Sequence, residues 1–377
     1  LTGQETTHRR EQRLEPRVER SPYFHFTEAA GARYYEAYNN VYWPLDYGHT
    51  DEDEYAAVTE RVVLGDFSCE RPVELHGPDA VRFADYLCAR DLSSIEEGRC
   101  KHTVICYDSG EILCEAIVVR PWPNTVWIFN GPVDFYLWAR GIALHAGFEV
   151  DVRRRDISPI MLTGPKARDV LRSVAPEAAD LPFYRWVWVT IAGVEAIVAR
   201  TGLTGELCFE IFPPDTERAP AIWEALAEAG EPHGLMIGGM VGRWYERGVS
   251  DFTHGGGLGL NPFEARLERA VDLDAGDFIG RQALLQVRQA GAGRKLVGLE
   301  IDAERLPPME EFWPVTTVDG EEIGVLNTRH WSRLLGRMLG TAVVRSGTPV
   351  GARVKLDTPG GAVSATVVEM PFAERSR

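Results

Sequence analysis

Arg200-Thr-Gly-Leu-Thr-Gly-Glu-Leu-Cys-Phe-Glu-Ile-Phe212 is the stretch on which the reading of this chain turns. Gly202 and Gly205 punctuate a tight turn, because glycine adopts positive φ at little steric cost. The alternation that follows predicts a strand, with Phe209 and Ile211 on one face and Cys208 and Glu210 on the other. A carboxylate fixed on a strand, here Glu210, suits a ligand that presents a flat pattern of N–H donors. The competing reading of the same residues is a β-hairpin with a solvated glutamate.

Outward from this stretch, segments 186–192 and 194–200 predict a hairpin leading into it, and 219–229 and 239–249 predict helices. Upstream, 157–162 reads as a strand, and Gly164-Pro-Lys-Ala167 opens a helix just as Gly77-Pro-Asp-Ala80 does. Two G-P-x-A helix starts, each after a strand, suggest two related α+β units. Between them lie predicted strands at 103–106, 112–120 and 125–130 and a helix at 134–146. The aromatic-rich 34–42 is expected to be helical and to end at Pro44. A helix over 51–61 is expected, opened by Thr50 as cap. From 295 onward, strands broken by Asp319-Gly320 and Pro359-Gly-Gly361 predict an all-β domain.

A chain of 377 residues is too long for one ordinary core, so two or three domains are expected. The net charge of −16 argues against a nucleic-acid partner, whose phosphates need a basic surface. The six cysteines form no C-x-x-C pair and sit far from zinc-like histidine spacings, so reduced thiols and a cytoplasmic protein without a metal are expected. No apolar run approaches a membrane span. The arginine-rich first 21 residues lack the apolar core of a secretory signal and read as a polar arm.

Several blocks are then recognisable in order: Leu64-Gly-Asp-Phe-Ser68, His76-Gly-Pro-Asp-Ala80, Gly98-Arg-Cys-Lys-His-Thr103, Gly110-Glu-Ile112, Thr163-Gly-Pro-Lys166, the Arg200–Phe212 stretch, and Gly276-Asp-Phe-Ile-Gly-Arg281. In this order they resemble the glycine-cleavage T-protein family of folate-dependent one-carbon carriers. Cys69-Glu-Arg71, Arg90-Asp-Leu-Ser93, Phe183-Tyr-Arg-Trp186 and Asn261-Pro-Phe-Glu-Ala265 resemble its tetrahydrofolate-dependent dimethylsulfoniopropionate demethylases. The resemblance implies an α+β, three-domain cloverleaf around a central folate channel. Residues 22–68 with 152–250 would form one α+β domain and 69–151 with 251–288 a second, interleaved with it. Residues 289–377 would form the β-barrel.

By the same resemblance Glu210 grips the pterin, whose amino group and ring N–H a carboxylate can accept together. Arg243 and Phe252 fall at the folate site, and Leu203 stands where T-proteins carry a tyrosine. T-proteins also carry an Asp-Asp pair whose first member is the key catalytic acid; here the pair is Cys114-Glu115. That loss argues against aminomethyl transfer, which needs a carboxylate to manage a positive nitrogen. Methyl transfer from a small onium or methyl ether to tetrahydrofolate is therefore expected. One-carbon donation from methylenetetrahydrofolate and a non-catalytic folate-binding role are the alternatives. Glu115, Cys114 and His102 are the candidate acids, and strand alternation allows only one of Cys114 and Glu115 to face the channel. Tyr42, Trp43, Trp186, Trp188 and Tyr245 are the aromatic candidates for holding the methyl donor.

Overall fold

The computed structural model describes residues 14–131, 133–239 and 258–372. Its first strands, β1 (Tyr34–Tyr38) and β2 (Val41–Asp46), form a hairpin where a helix was expected. The reason is the Asn39-Asn40 turn, with φ of 48° and 64°, the left-handed pair that a two-residue hairpin requires. Pro44 is tolerated because the two-stranded sheet leaves it on an edge. The Asp51–Glu60 helix follows, with Thr50 Oγ1 accepting from Asp53 N at 3.1 Å as its N-cap.

Next come β3 (Val62–Asp66), β4 (Val73–His76), β5 (Cys100–Cys106), β6 (Ile112–Trp122), β7 (Thr125–Asn130) and β8 (Asp151–Arg154). They are followed by β9 (Ile160–Thr163), β10 (Trp186–Ile191), β11 (Val194–Ala199), β12 (Cys208–Phe212) and β13 (Leu235–Ile237). These strands make two sheets. One has the order β10-β11-β12-β9-β3-β13, and the other, β5-β6-β7-β4-β8, is inserted in sequence between β3 and β9. Helices Ala167–Val174 and Ala219–Gly230 cover the outer face of the six-stranded sheet, burying Leu171, Trp223 and Leu226 against Ile160, Val198, Phe209 and Ile211. Helices Ala80–Leu87 and Phe135–Ala143 cover the outer face of the five-stranded sheet through Phe83, Leu87 and Phe135. The two G-P-x-A turns share one geometry. Gly77 and Gly164 have φ of 140° and 122°, and a Cβ on either would lie 2.7 or 2.6 Å from the carbonyl oxygen of Glu149 or Arg61.

The inner faces of the sheets meet. Cys100, Val119, Trp127 and Phe129 of the five-stranded sheet pack on Trp186, Ile197, Ala199 and Phe212 of the six-stranded one. Strands β14 (Arg294–Ile301), β15 (Trp313–Thr317), β16 (Glu322–Ser332), β17 (Arg337–Arg345), β18 (Arg353–Thr358) and β19 (Gly361–Val368) close a barrel of order β14-β17-β16-β15-β18-β19. It is tied to the rest by Arg294, which donates to both carboxylate oxygens of buried Glu264. No helix among the described residues is long and apolar enough to cross a membrane.

Gly202 sets where β12 begins. Its φ is 145°, and a Cβ there would fall 2.4 Å from Cys208 Cβ and 2.5 Å from its sulfur. Gly202→Ala therefore combines backbone strain with overpacking, each costing ~1–3 kcal/mol. A loss of at least ~2 kcal/mol in denaturant unfolding is expected; unchanged stability would show that the turn relaxes freely.

Candidate active site

The inner face of β12 presents Cys208, Glu210 and Phe212, as the alternation predicts, while Phe209 and Ile211 enter the outer core. Phe212 stacks on Phe129 across the sheet junction, with ring centroids 4.2 Å apart. Cys208 sits instead among Tyr38, Trp43, Phe67 and Cys69. Glu210 lies between these two clusters, flanked by Ala199 and Met161 on the neighbouring strands. It is only 9% exposed, and its Oε2 accepts a hydrogen bond from Thr201 Oγ1. The solvated-glutamate reading is thus wrong. Burial raises its pKa and the Thr201 bond only partly offsets this. Buried Cys69, Cys100 and Cys208 surround the pair of carboxylates described next, and burial pushes all three thiols up.

A second acid, Glu70, reaches the same place from the Ser68–Glu70 turn that follows β3. Its side chain is half-buried. Burial and then the charge of Glu210 push its pKa up to about 8, against a hydrogen bond with Tyr38. The tip of the β1–β2 hairpin fixes this corner. Asn39 Nδ2 donates to the carbonyls of Cys69 at 3.0 Å and of Asn130 and Gly131 at 3.3 Å, joining the turn to the end of β7. Sequence reasoning did not single out Glu70. Its block served only as a family marker, and the approach of Glu70 to Glu210 spans residues remote in the chain.

The raised pKa has a signed consequence. Between the ordinary 4.5 and about 8 the folded protein holds a proton that the unfolded chain has released. The stability from this group is complete below pH 4.5 and is lost as pH rises through 8, at up to ~1.4 kcal/mol per pH unit. Glu210 and Asp66, both raised by burial, act in the same direction. Urea unfolding of the ligand-free protein from pH 5 to 9 should show this decline, and Glu70→Gln should flatten it. Parallel profiles for the two proteins would contradict the assignment.

His102 and Glu115 lie on the inner face of β5 and β6, diagonal across the register that sets His102 opposite Ile117 and Val104 opposite Glu115. His102 Nε2 pairs with Glu115 Oε2, and both side chains are partly exposed. Arg90 Nη1 donates to the His102 carbonyl at 2.9 Å, and Gly131 N to the Glu115 carbonyl at 3.3 Å. Cys114 points the other way, fully buried with Leu87, Ile105 and Leu113, and burial raises its thiol well above the usual range. The expectation that Cys114 could serve as an acid is corrected by this placement: it is core.

The aromatic candidates divide. Tyr42 packs with Phe24 and Tyr35, and its hydroxyl donates to the Glu15 carbonyl at 3.0 Å, so it holds the N-terminal segment and not the cleft. Adjacent Trp43 faces inward, edge-on to Tyr38 and Phe67 at 5.6 Å, as floor. Trp186 is buried between the sheets with Nε1 donating to the Arg99 carbonyl at 3.0 Å, and Trp188 lies against Trp122 at 5.7 Å. Both are packing residues rather than donor contacts. Leu203 is half-buried beside Trp43 and Cys208. Arg243, Tyr245 and Phe252 lie outside the described residues. Two surface depressions, one around Arg155 and Thr216 and one around Arg20 and Arg71, contain neither Glu70 nor Glu210. The corner of the sheet junction that brings Glu210 and Glu70 together is the better candidate.

Residues 23–275 match the model of the GCVT N-terminal domain, and residues 294–374 that of the glycine cleavage T-protein C-terminal barrel domain. The chain belongs to the glycine-cleavage T-protein family. Members of the family are folate-dependent transferases. Among its relatives is the dimethylsulfoniopropionate demethylase of Ruegeria pomeroyi, 29% identical over 94% of this chain and 97% of that protein. The aminomethyltransferase of Streptomyces avermitilis is 34% identical over 89% of this chain and 92% of its own. The crystal structure of aminomethyltransferase T from Bartonella henselae shares the fold, with a TM-score of 0.82 at 23% identity, covering 95% of this chain and 99% of that one. The α+β cloverleaf with its C-terminal barrel is therefore the T-protein architecture.

Proposed function

We propose that this T-protein relative moves a methyl group from a small methylated donor to N5 of tetrahydrofolate. The observation that carries the reading is the split fate of two family positions. Glu210 is kept as a buried, desolvated carboxylate, whereas the position of the family's first aspartate is Cys114, turned into the hydrophobic core. Nothing at that position can then stabilise a positive aminomethyl nitrogen.

The residues present fit a pterin. Glu210 offers a carboxylate already oriented by Thr201 in a water-poor site, where paired N–H donors would be accepted strongly. Leu203, Arg243 and Phe252 complete the proposed folate contacts. Tetrahydrofolate, when bound, supplies the N5 lone pair that accepts the methyl. The donor's methyl–heteroatom bond breaks with its electron pair staying on the heteroatom, and the proton of N5 must leave. In this reading His102 takes it. Glu115 holds Nε2, leaving Nδ1 to exchange a proton, and the carboxylate steadies the charge that forms. An onium leaves as a neutral thioether or amine; an ether would need that proton on its oxygen.

A second reading, donation from methylenetetrahydrofolate, draws on the several aminomethyltransferase relatives and on Glu115 as the retained acid of the pair. The test is to incubate the protein with tetrahydrofolate and onium, thioether or aryl-ether donors and assay 5-methyltetrahydrofolate by mass spectrometry. Product with any of them supports the proposal. Folate binding without product from any would leave a non-catalytic binding role.

A further inference from the structure

The five-stranded sheet ends on β8, which pairs with β4 on one side; among the described residues no strand pairs with its other edge. Arg155 N donates to the Pro72 carbonyl at 3.2 Å, which fixes the alternation of the ladder. Arg153 and Asp151 then bond to Glu74 and His76, and the N–H and C=O groups of Val152 and Arg154 point to the open edge. Such an edge is a template for another strand, and charged side chains usually guard it. Here the charges are complementary to themselves. Val152 enters the core beneath helix Phe135–Ala143, so Asp151 and Arg153 share the opposite face of the sheet. A second copy laid antiparallel about a two-fold axis at Val152 sets Asp151 of each chain across from Arg153 of the other, while the two Val152 backbones bond each other. In the single chain, Arg153 Nε bonds its own Asp151 at 2.6 Å, and both side chains are half-exposed.

The helix over β8 supplies a second observation. Leu137 and Leu144, the latter at the helix C-cap, lie about two turns apart on one face and are 57% and 74% exposed, with Gly141 open to solvent between them. Tyr136, on the flank toward β8, stacks with Arg154 at 4.9 Å. A sheet continued through β8 would bring this helix beside its own copy and give the exposed leucines apolar cover.

We propose that the chain forms a symmetric dimer through β8, with the two five-stranded sheets joined edge to edge and helix Phe135–Ala143 of each copy against that of the other. The occupant of the edge is a second copy of this chain because Asp151-Val-Arg153 matches itself, whereas a strand of uniform charge would meet one like charge at every docking. Strands β5 and β6, which carry His102 and Glu115, lie at the far end of the sheet order from β8, so pairing leaves both candidate sites open. Such a dimer is independent of which one-carbon unit the site moves.

Sedimentation velocity of the full chain over a dilution series should show, at the upper end, a species of twice the 42.0 kDa chain. Asp151→Arg sets arginine across from arginine at both pairs and should raise the dimer dissociation constant by at least ~10-fold. Leu144→Asp, at a side chain exposed in the single chain, should weaken the dimer as well, with the circular dichroism spectrum unchanged. Cysteines introduced together as Asp151→Cys and Arg153→Cys would lie opposite the partner's, and the six native cysteines are buried, so mild oxidation should give a covalent dimer. Asp151→Cys with Arg154→Cys, on opposite faces, should not. A monomer at every concentration overturns the dimer. A dimer that neither Asp151→Arg nor Leu144→Asp weakens, and that the first cysteine pair fails to lock, overturns its placement at β8.

Discussion

Glu210→Ala is expected to weaken folate binding by at least ~10²-fold, the largest effect of any single side chain. The loss would be of two hydrogen bonds to a charged acceptor, each worth ~1.5–3 kcal/mol, and ~1.4 kcal/mol corresponds to tenfold in affinity. The change should be local. Glu210 sits in the middle of β12 between Ala199 and Met161, with the outer face of that strand locked into the core by Phe209 and Ile211. Removing a desolvated acid also relieves its neighbour Glu70, so the variant should fold, with Thr201 losing its acceptor as the main penalty. Glu210→Gln should fall between, because it replaces one acceptor oxygen by a donor that confronts the pterin's own. Fluorescence titration with tetrahydrofolate checks this; wild-type affinity in the alanine variant would sink the assignment.

The second expectation concerns rate rather than affinity. His102→Ala should lower kcat for methyl transfer by ~10²–10⁴-fold, the range for a positioned proton-transfer group, with folate affinity little changed. Glu115→Gln should reproduce most of that loss, since the carboxylate both orients the imidazole and steadies its charged form. If the two residues work as one unit, the double variant should be no slower than the worse single one. Single-turnover measurements with saturating folate test this. Additive losses, or a loss in KM alone, would mean that the two residues support the fold of β5 and β6 and move no proton.

Glu210 was legible because a strand beside a glycine turn carries its meaning in its own alternation. The same rule, applied to β2, separates Tyr42 from Trp43, which point to opposite sides; reading 34–42 as a helix hid it. Consecutive asparagines between aromatic runs were the missed signal, since few residues other than glycine accept paired left-handed backbone. The choice between Cys114 and Glu115 needed a partner strand. Alternation allows either face, and only the register with His102 shows which acid meets the cleft. Glu70 was illegible for a different reason. Its raised pKa comes from burial first and then from Glu210 on β12, a long-range approach that no local pattern encodes. Leu203, which stands where T-proteins carry a tyrosine, is partly buried against the cluster that holds Trp43 and Cys208.

The central claim is transfer of an intact methyl group, and a donor carrying a trideuterated methyl tests it most directly. Mass spectrometry of the folate product should show 5-methyltetrahydrofolate with all three deuterium atoms retained, at a rate that depends on Glu210. A folate product at the methylene level, with two deuterium atoms or none from the donor, would contradict methyl transfer and return the chain to the aminomethyl chemistry of its relatives.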